Sequence, residues 1–163
     1  MSRSVRVVWD DELVAYNFGP GHPLAPLRID LTMRLARELG ILDLAPVTVA
    51  PASPADERVL RLVHDPEYLT AVRRASADPN DADEYRGLGT GDNPTFAGMH
   101  EASALVAGAS VAAAELVWRG EAEHAVNLAG GLHHAMPGAA SGFCIYNDPA
   151  LAIARLLELG AER

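Results

Sequence analysis

The segment that most limits how this chain can fold is Ala125-Val126-Asn127-Leu128-Ala129, followed at once by Gly130-Gly131-Leu132-His133-His134. A short apolar run of this kind reads as a buried strand, and the paired glycines end it. Neighbouring side chains point to opposite faces of a strand and diverge by about 100° on a helix. Two adjacent imidazoles therefore reach one place only where the backbone turns, and Gly130-Gly131 permits that turn. A strand ending in a polar glycine turn fits an α/β sheet, in which sites lie beyond the carboxyl ends of parallel strands.

The rest of the pattern agrees with that class. Residues 5–9 (Val-Arg-Val-Val-Trp) and 47–49 (Val-Thr-Val) read as two further strands. Leu27, Leu31, Leu35 and Leu39 recur every fourth residue before Gly40, which predicts an amphipathic helix with Gly40 at its C-terminal cap. Ser53-Pro54-Ala55-Asp56 and Asp65-Pro66-Glu67 each open a short helix with proline in its first turn. Residues 77–91 are polar and aperiodic, a long loop of the sort that lines sites. An Ala-rich helix is expected over 95–118, and Asp148-Pro149 is expected to cap a last helix ending at Gly160. Strand, loop and helix alternate, so the fold class is α/β with a mainly parallel sheet.

Composition narrows the function. Thirteen Arg, no Lys and 22 acidic residues give a formal charge of -9, which argues against coating nucleic acid. No signal peptide is visible at the start. The best candidate for a membrane span, 102–118, is mostly small residues and contains Glu115, so it is expected to pack inside a protein. The single cysteine, Cys144, excludes an internal disulfide and points to a reducing, cytoplasmic setting.

Chemistry concentrates in 130–148. Neutral imidazole takes up a proton near neutral pH, and a pair of them can serve as base and electrostatic partner. The residues alone leave a blander reading open, in which His133 and His134 are loop residues, one buried and one solvated. Gly138 and Gly142 let backbone press on a ligand, and Phe143 is either the wall of an apolar channel or plain core. Cys144 with either histidine would make a nucleophilic hydrolase, but its apolar neighbours Phe143 and Ile145 should raise the thiol pKa.

These residues resemble the zinc-dependent deacetylases of the histone deacetylase superfamily, with the arginase/deacetylase fold, and most of all their bacterial acetoin-utilization (AcuC-type) branch. The likeness rests on Gly21-His22-Pro23 with Pro26, Arg28 and Thr32. It continues in Val63-His64-Asp65-Pro66-Glu67-Tyr68-Leu69 and in Gly91-Asp92-Asn93-Pro94-Thr95-Phe96 with Gly98. Its most specific block is Ala129 through Ala135, then Ala140-Ser141-Gly142-Phe143-Cys144 and Asn147-Asp148. The resemblance implies that His134 is the general base and His133 its partner at the leaving amine. It implies that the Gly142 carbonyl takes the substrate amide, that Phe143 lines the acyl-lysine tunnel, and that Asp92 holds the substrate backbone at the rim. Arg28 would line the pocket through which acetate leaves. Leu132 stands where many eukaryotic members have Trp, which implies a differently shaped pocket.

The family's zinc ligands lie on an Asp-x-His strand after the last helix and on a later Asp, with a carbonyl-polarising Tyr later still. The sequence ends at Ala161-Glu162-Arg163 and contains no Asp-x-His, no His-Glu-x-x-His and no cysteine pair. The remaining histidines, at 22, 64, 100 and 124, have no ligand spacing. The expectation is an amino-terminal portion, about half, of a three-layer deacetylase-like domain. By itself it would be without metal ligands and inactive, with uncovered sheet edges and helix faces. Substrates would be an acetylated lysine protein or a small acetylated amine. A truncated paralogue acting as a binding module is the alternative.

Overall fold

The computed structural model describes residues 4–162. Three parallel strands, β1 (Val5–Val8), β2 (Val47–Ala50) and β3 (His124–Val126), form a sheet in the order β2-β1-β3. Val7 of the central strand stands opposite Val49 on one side and Val126 on the other. The helices are α1 (Leu27–Glu38), α2 (Glu57–Leu60), α3 (Pro66–Ala77), α4 (Met99–Trp118) and α5 (Asp148–Glu158). Short 3-10 turns cover Asp11–Ala15, Ile41–Asp43 and Glu84–Arg86. The α/β class with a parallel sheet is as the sequence predicts.

Helix α4 is the centre of the core and packs on α5, α3, β1 and β3. By length and composition alone it could cross a membrane, yet its run Ala102–Ala109 is buried throughout. Its small residues explain this placement, because they let other backbone come close. A Cβ on Gly108 would lie 1.9 Å from the Ser53 carbonyl oxygen. The chain before α2 therefore crosses directly on this glycine, where the Ala55 amide donates to the Ala104 carbonyl at 2.8 Å.

Several boundaries differ from the sequence expectation. Strand β3 stops at Val126 rather than running to 129. Asn127 ends it by accepting from the Ala129 amide and donating to the Val106 carbonyl and Ser110 hydroxyl. Asp56, not Ser53, caps α2, accepting from the Val59 amide. Helix α4 starts at Met99, after Gly98 in the left-handed region, rather than at 95. Asn147, not Asp148, caps α5 by accepting from the Ala150 amide.

Helix α1 leaves its leucine face uncovered. Its leucines 27, 31, 35 and 39 are between 52% and 65% exposed, and the side chain it buries is Met33. An every-fourth-residue stripe establishes helical geometry but does not name the element that will cover it. Among the described residues none covers this one. Val49 and Val126, which flank Val7 in the sheet, are also exposed.

Candidate active site

The site is built at the carboxyl ends of the strands, from the loops after β1 and β3. The loop after β3 carries the histidines. The two rings lie with centroids 4.3 Å apart, and both side chains are exposed. The bland expectation of one buried and one solvated histidine does not describe them. The Nδ1 of His133 lies 2.9 Å from the Gly131 carbonyl oxygen. A carbonyl only accepts, so Nδ1 carries the hydrogen and the neutral ring keeps its lone pair on Nε2. The His134 ring lies on Gly142, where an added Cβ would be 2.9 Å from Cγ. Gly142 also has φ +51, so it is needed both for the turn and for the space.

Phe143 follows with φ +70, a backbone state that costs a non-glycine residue roughly 1–3 kcal/mol. Tyr16 holds it there. The buried phenol donates to the Phe143 carbonyl at 2.8 Å and accepts from the Ile145 amide at 3.0 Å. The Phe143 ring meets His22 edge to face, with centroids 4.6 Å apart, and His22 also packs on Phe18. His22 accepts the Leu24 amide on Nδ1, so its Nε2–H donates to the Asp92 carbonyl at 3.1 Å. Asp92 is exposed. His22 thus links Asp92 to Phe143 at one rim. Beneath lies a cavity of about 160 Å³ lined by Arg28, Leu13, Tyr16, Leu24, Leu128, Gly130 and Leu132. The structure brings all six predicted site residues, His133, His134, Asp92, Gly142, Phe143 and Arg28, to this end of the sheet.

Sequence reasoning missed the residues that hold the histidine loop. Asp148 is 1% exposed and accepts from the amides of Gly131 (3.0 Å) and Leu132 (2.7 Å) and from the Ser110 hydroxyl. Burial pushes its carboxyl pKa up, while the Ser110 hydroxyl and those amides pull it back down. The Asn147 amide nitrogen donates to the carbonyls of His133 (3.1 Å) and Ala135 (2.8 Å), one on each side of His134. His64 and Tyr68 complete the frame; the Tyr68 phenol donates to the Ile145 carbonyl at 2.7 Å. The signal was present in Asn147-Asp148, but a helix cap explains that pair locally and hides its inward role.

Cys144 is buried, and its thiol lies 3.3 Å from the Gly142 carbonyl oxygen. Burial raises its pKa, which keeps it a thiol and argues against a cysteine nucleophile. Among the described residues no group of three or more His, Cys, Asp or Glu side chains is placed to hold a metal ion. The donors present do not by themselves fit the zinc that the resemblance implies.

A histone deacetylase domain profile matches residues 22–163, and the chain belongs to that family. Curated relatives include acetoin utilization proteins AcuC. That of Bacillus subtilis (strain 168) is 44% identical over 148 residues, covering 90% of this chain and 38% of that protein. That of Staphylococcus xylosus is 37% identical over 166 residues, covering all of this chain and 42% of that protein. Among solved structures, an HDAC homolog from Aquifex aeolicus superposes with a TM-score of 0.84 at 29% identity, over 99% of this chain and 43% of that one. An HDAC homolog complexed with SAHA gives 0.85 at 28% identity. The chain therefore spans about 40% of its relatives' length, their amino-terminal part, and carries that portion of the deacetylase-like α/β fold.

Proposed function

We propose that this chain supplies the proton-transfer pair and the substrate walls of a zinc-dependent deacetylase of the acetoin-utilization type, acting on acetyl-lysine or a small acetylated amine. The observation that carries this is the His133–His134 pair, 4.3 Å apart at a parallel strand's end, beside the Phe143–His22 wall. When bound, zinc provides a Lewis acid for amide hydrolysis. Its ligands would come from outside the described residues.

The chain's own residues do the rest. Hydrolysis joins a water oxygen to the acyl carbon, breaks the C–N bond and requires a proton on the departing amine. His134 accepts the proton of the attacking water. That proton then passes from His134 to the departing amine, beside which His133, its Nδ1–H fixed on Gly131, presents its Nε2 lone pair to orient the amine and support the charge that develops there. Among the described residues the Gly142 carbonyl receives only the weak Cys144 thiol, so it retains acceptor capacity for the substrate N–H. Phe143 and His22 exclude water along the alkyl chain. The Asp92 carboxylate takes backbone N–H groups at the rim, and Arg28 pairs with the acetate released into the cavity.

The test is hydrolysis of an acetyl-lysine peptide and of an acetylated polyamine by the whole gene product, with and without a chelator. Chelator-sensitive turnover is expected, falling by about 10²-fold or more in His134→Ala. Turnover that ignores both chelator and His134 would refute the reading. Residues 1–163 alone are proposed to be inactive; chelator-sensitive turnover from them would overturn that. A cytoplasmic location is proposed with it, supported by the single buried thiol.

A further inference from the structure

We infer that His64, outside the substrate cleft, is a positioning residue for the histidine pair, acting through Asn147 as a fixed neutral tautomer. The inference deepens the reading of His133 and His134 as the proton-transfer pair and rests on it. His64 lies between α2 and α3, is 2% exposed, and sits against the rings of Tyr68 and Tyr146 at 5.5 and 5.2 Å. Its Nε2 is 3.0 Å from the Asn147 amide nitrogen. A backbone amide only donates, so Nε2 must be the bare nitrogen and Nδ1 must carry the hydrogen. That Nδ1–H faces the carbonyls of Met136 (3.2 Å) and Pro137 (3.4 Å).

The arrangement has a direction. His64 fixes the Asn147 backbone on one side and the loop carbonyls 136 and 137 on the other. Asn147 in turn holds the carbonyls of His133 and Ala135 with its side-chain amide. The peptide unit that precedes His134 and the one that follows Ala135 are thus tied to a group buried outside the cleft. The Asp65 amide adds a bond to the Pro137 carbonyl at 3.0 Å. A doubly protonated His64 would set an N–H against the Asn147 N–H and break the tie. Desolvation by burial, the largest influence on its pKa, lowers it and favours the neutral ring.

The experiment uses the whole protein with histidine side chains labelled with ¹³C and ¹⁵N. At pH 7 the His64 ring should show a hydrogen on Nδ1 and none on Nε2. His64→Phe keeps the ring between Tyr68 and Tyr146 but removes both bonds. It should shift and broaden the His133 and His134 ring signals while leaving the sheet amides in place. His64→Gln, which has both an acceptor and a donor, should restore them in part. Asn147→Ser, which still caps α5 but loses both side-chain donations, should reproduce the His64→Phe signature if one variant folds poorly. In turnover, kcat should drop about tenfold or more in His64→Phe with KM nearly unchanged, since small misplacements of reacting groups are costly. A hydrogen on Nε2 of His64, or His133 and His134 signals indifferent to these variants, would overturn the inference. Disturbed signals with undiminished kcat would also overturn it. Disturbed signals in a protein with no deacetylase activity would instead refute the functional reading and leave the tie standing.

Discussion

In loop 130–148 the amides of Gly131 and Leu132 end on a buried carboxylate, and the carbonyls of His133, Ala135, Met136 and Pro137 receive named donors. Helix α1 is the opposite case. Its sequence is strongly periodic, yet four leucines face outward and Met33 alone is buried. The loop has almost no regular structure and is over-determined by polar contacts. The helix is regular and only lightly attached. Regularity and attachment are separate properties, and the site sits on the irregular, well-attached element. That suits chemistry, because a histidine must be held to a small fraction of its own size while a surface helix need not be.

The comparison can be broken most forcefully at Asp148. Asp148→Ala orphans two amides and a hydroxyl, each costing about 1–3 kcal/mol, so a loss on the order of 4 kcal/mol is expected by urea denaturation. A loss below about 1 kcal/mol would show that the loop is not held as described. Next comes Met33→Ala in α1, with an expected cost of about 2–4 kcal/mol from the cavity it leaves. A near-neutral result would mean that α1 is attached by something other than Met33.

Gly142→Ala brings a methyl group onto the His134 ring and strains a positive φ. Turnover should fall by about tenfold or more while stability falls by only about 1–2 kcal/mol. Equal turnover would separate the His134 pose from Gly142. A gentler probe is pH. His64 has a lowered pKa in the folded state, so its neutral form stabilises the fold above the ordinary value of 6.5. That contribution is lost as pH falls below about 6.5 and through the folded value. Asp65 opposes the shift, and the Tyr68 and Tyr146 rings that face His64 stay uncharged across this range. The slope of Tm against pH below 6.5 should therefore flatten in His64→Phe; an unchanged slope would remove His64 from the acid response. The smallest effect belongs to Leu35→Gln, expected within about 0.5 kcal/mol of the parent in residues 1–163. A cost above 2 kcal/mol would mean that the leucine stripe is covered in solution.

Much of the site is legible in the sequence. The turn at Gly130-Gly131, the adjacent histidines, the glycine before Phe143 and the proline-led start of α3 are local signals, and each lies where it was expected. The frame was not legible. Asp148 reads as a cap until its carboxylate is seen turned inward, and Asn147 and His64 meet across 83 positions of sequence. Nothing in a window of four or five residues records that meeting. Which helix face would stay uncovered was illegible for the converse reason. The spacing of the leucines is a local fact about a helix, whereas their burial depends on what other chain arrives.

Local sequence settles which segments are strands and which are helices, that two imidazoles share one turn, and that the class is α/β. Those outcomes follow from backbone freedom and side-chain periodicity, which act over a few residues. Only the tertiary structure decided which face of α1 is buried, which ring nitrogen of His64 holds its hydrogen, and which buried carboxylate receives the Gly131 and Leu132 amides. Those depend on pairs brought together by packing, where a polar group removed from water must find whichever partner the fold delivers.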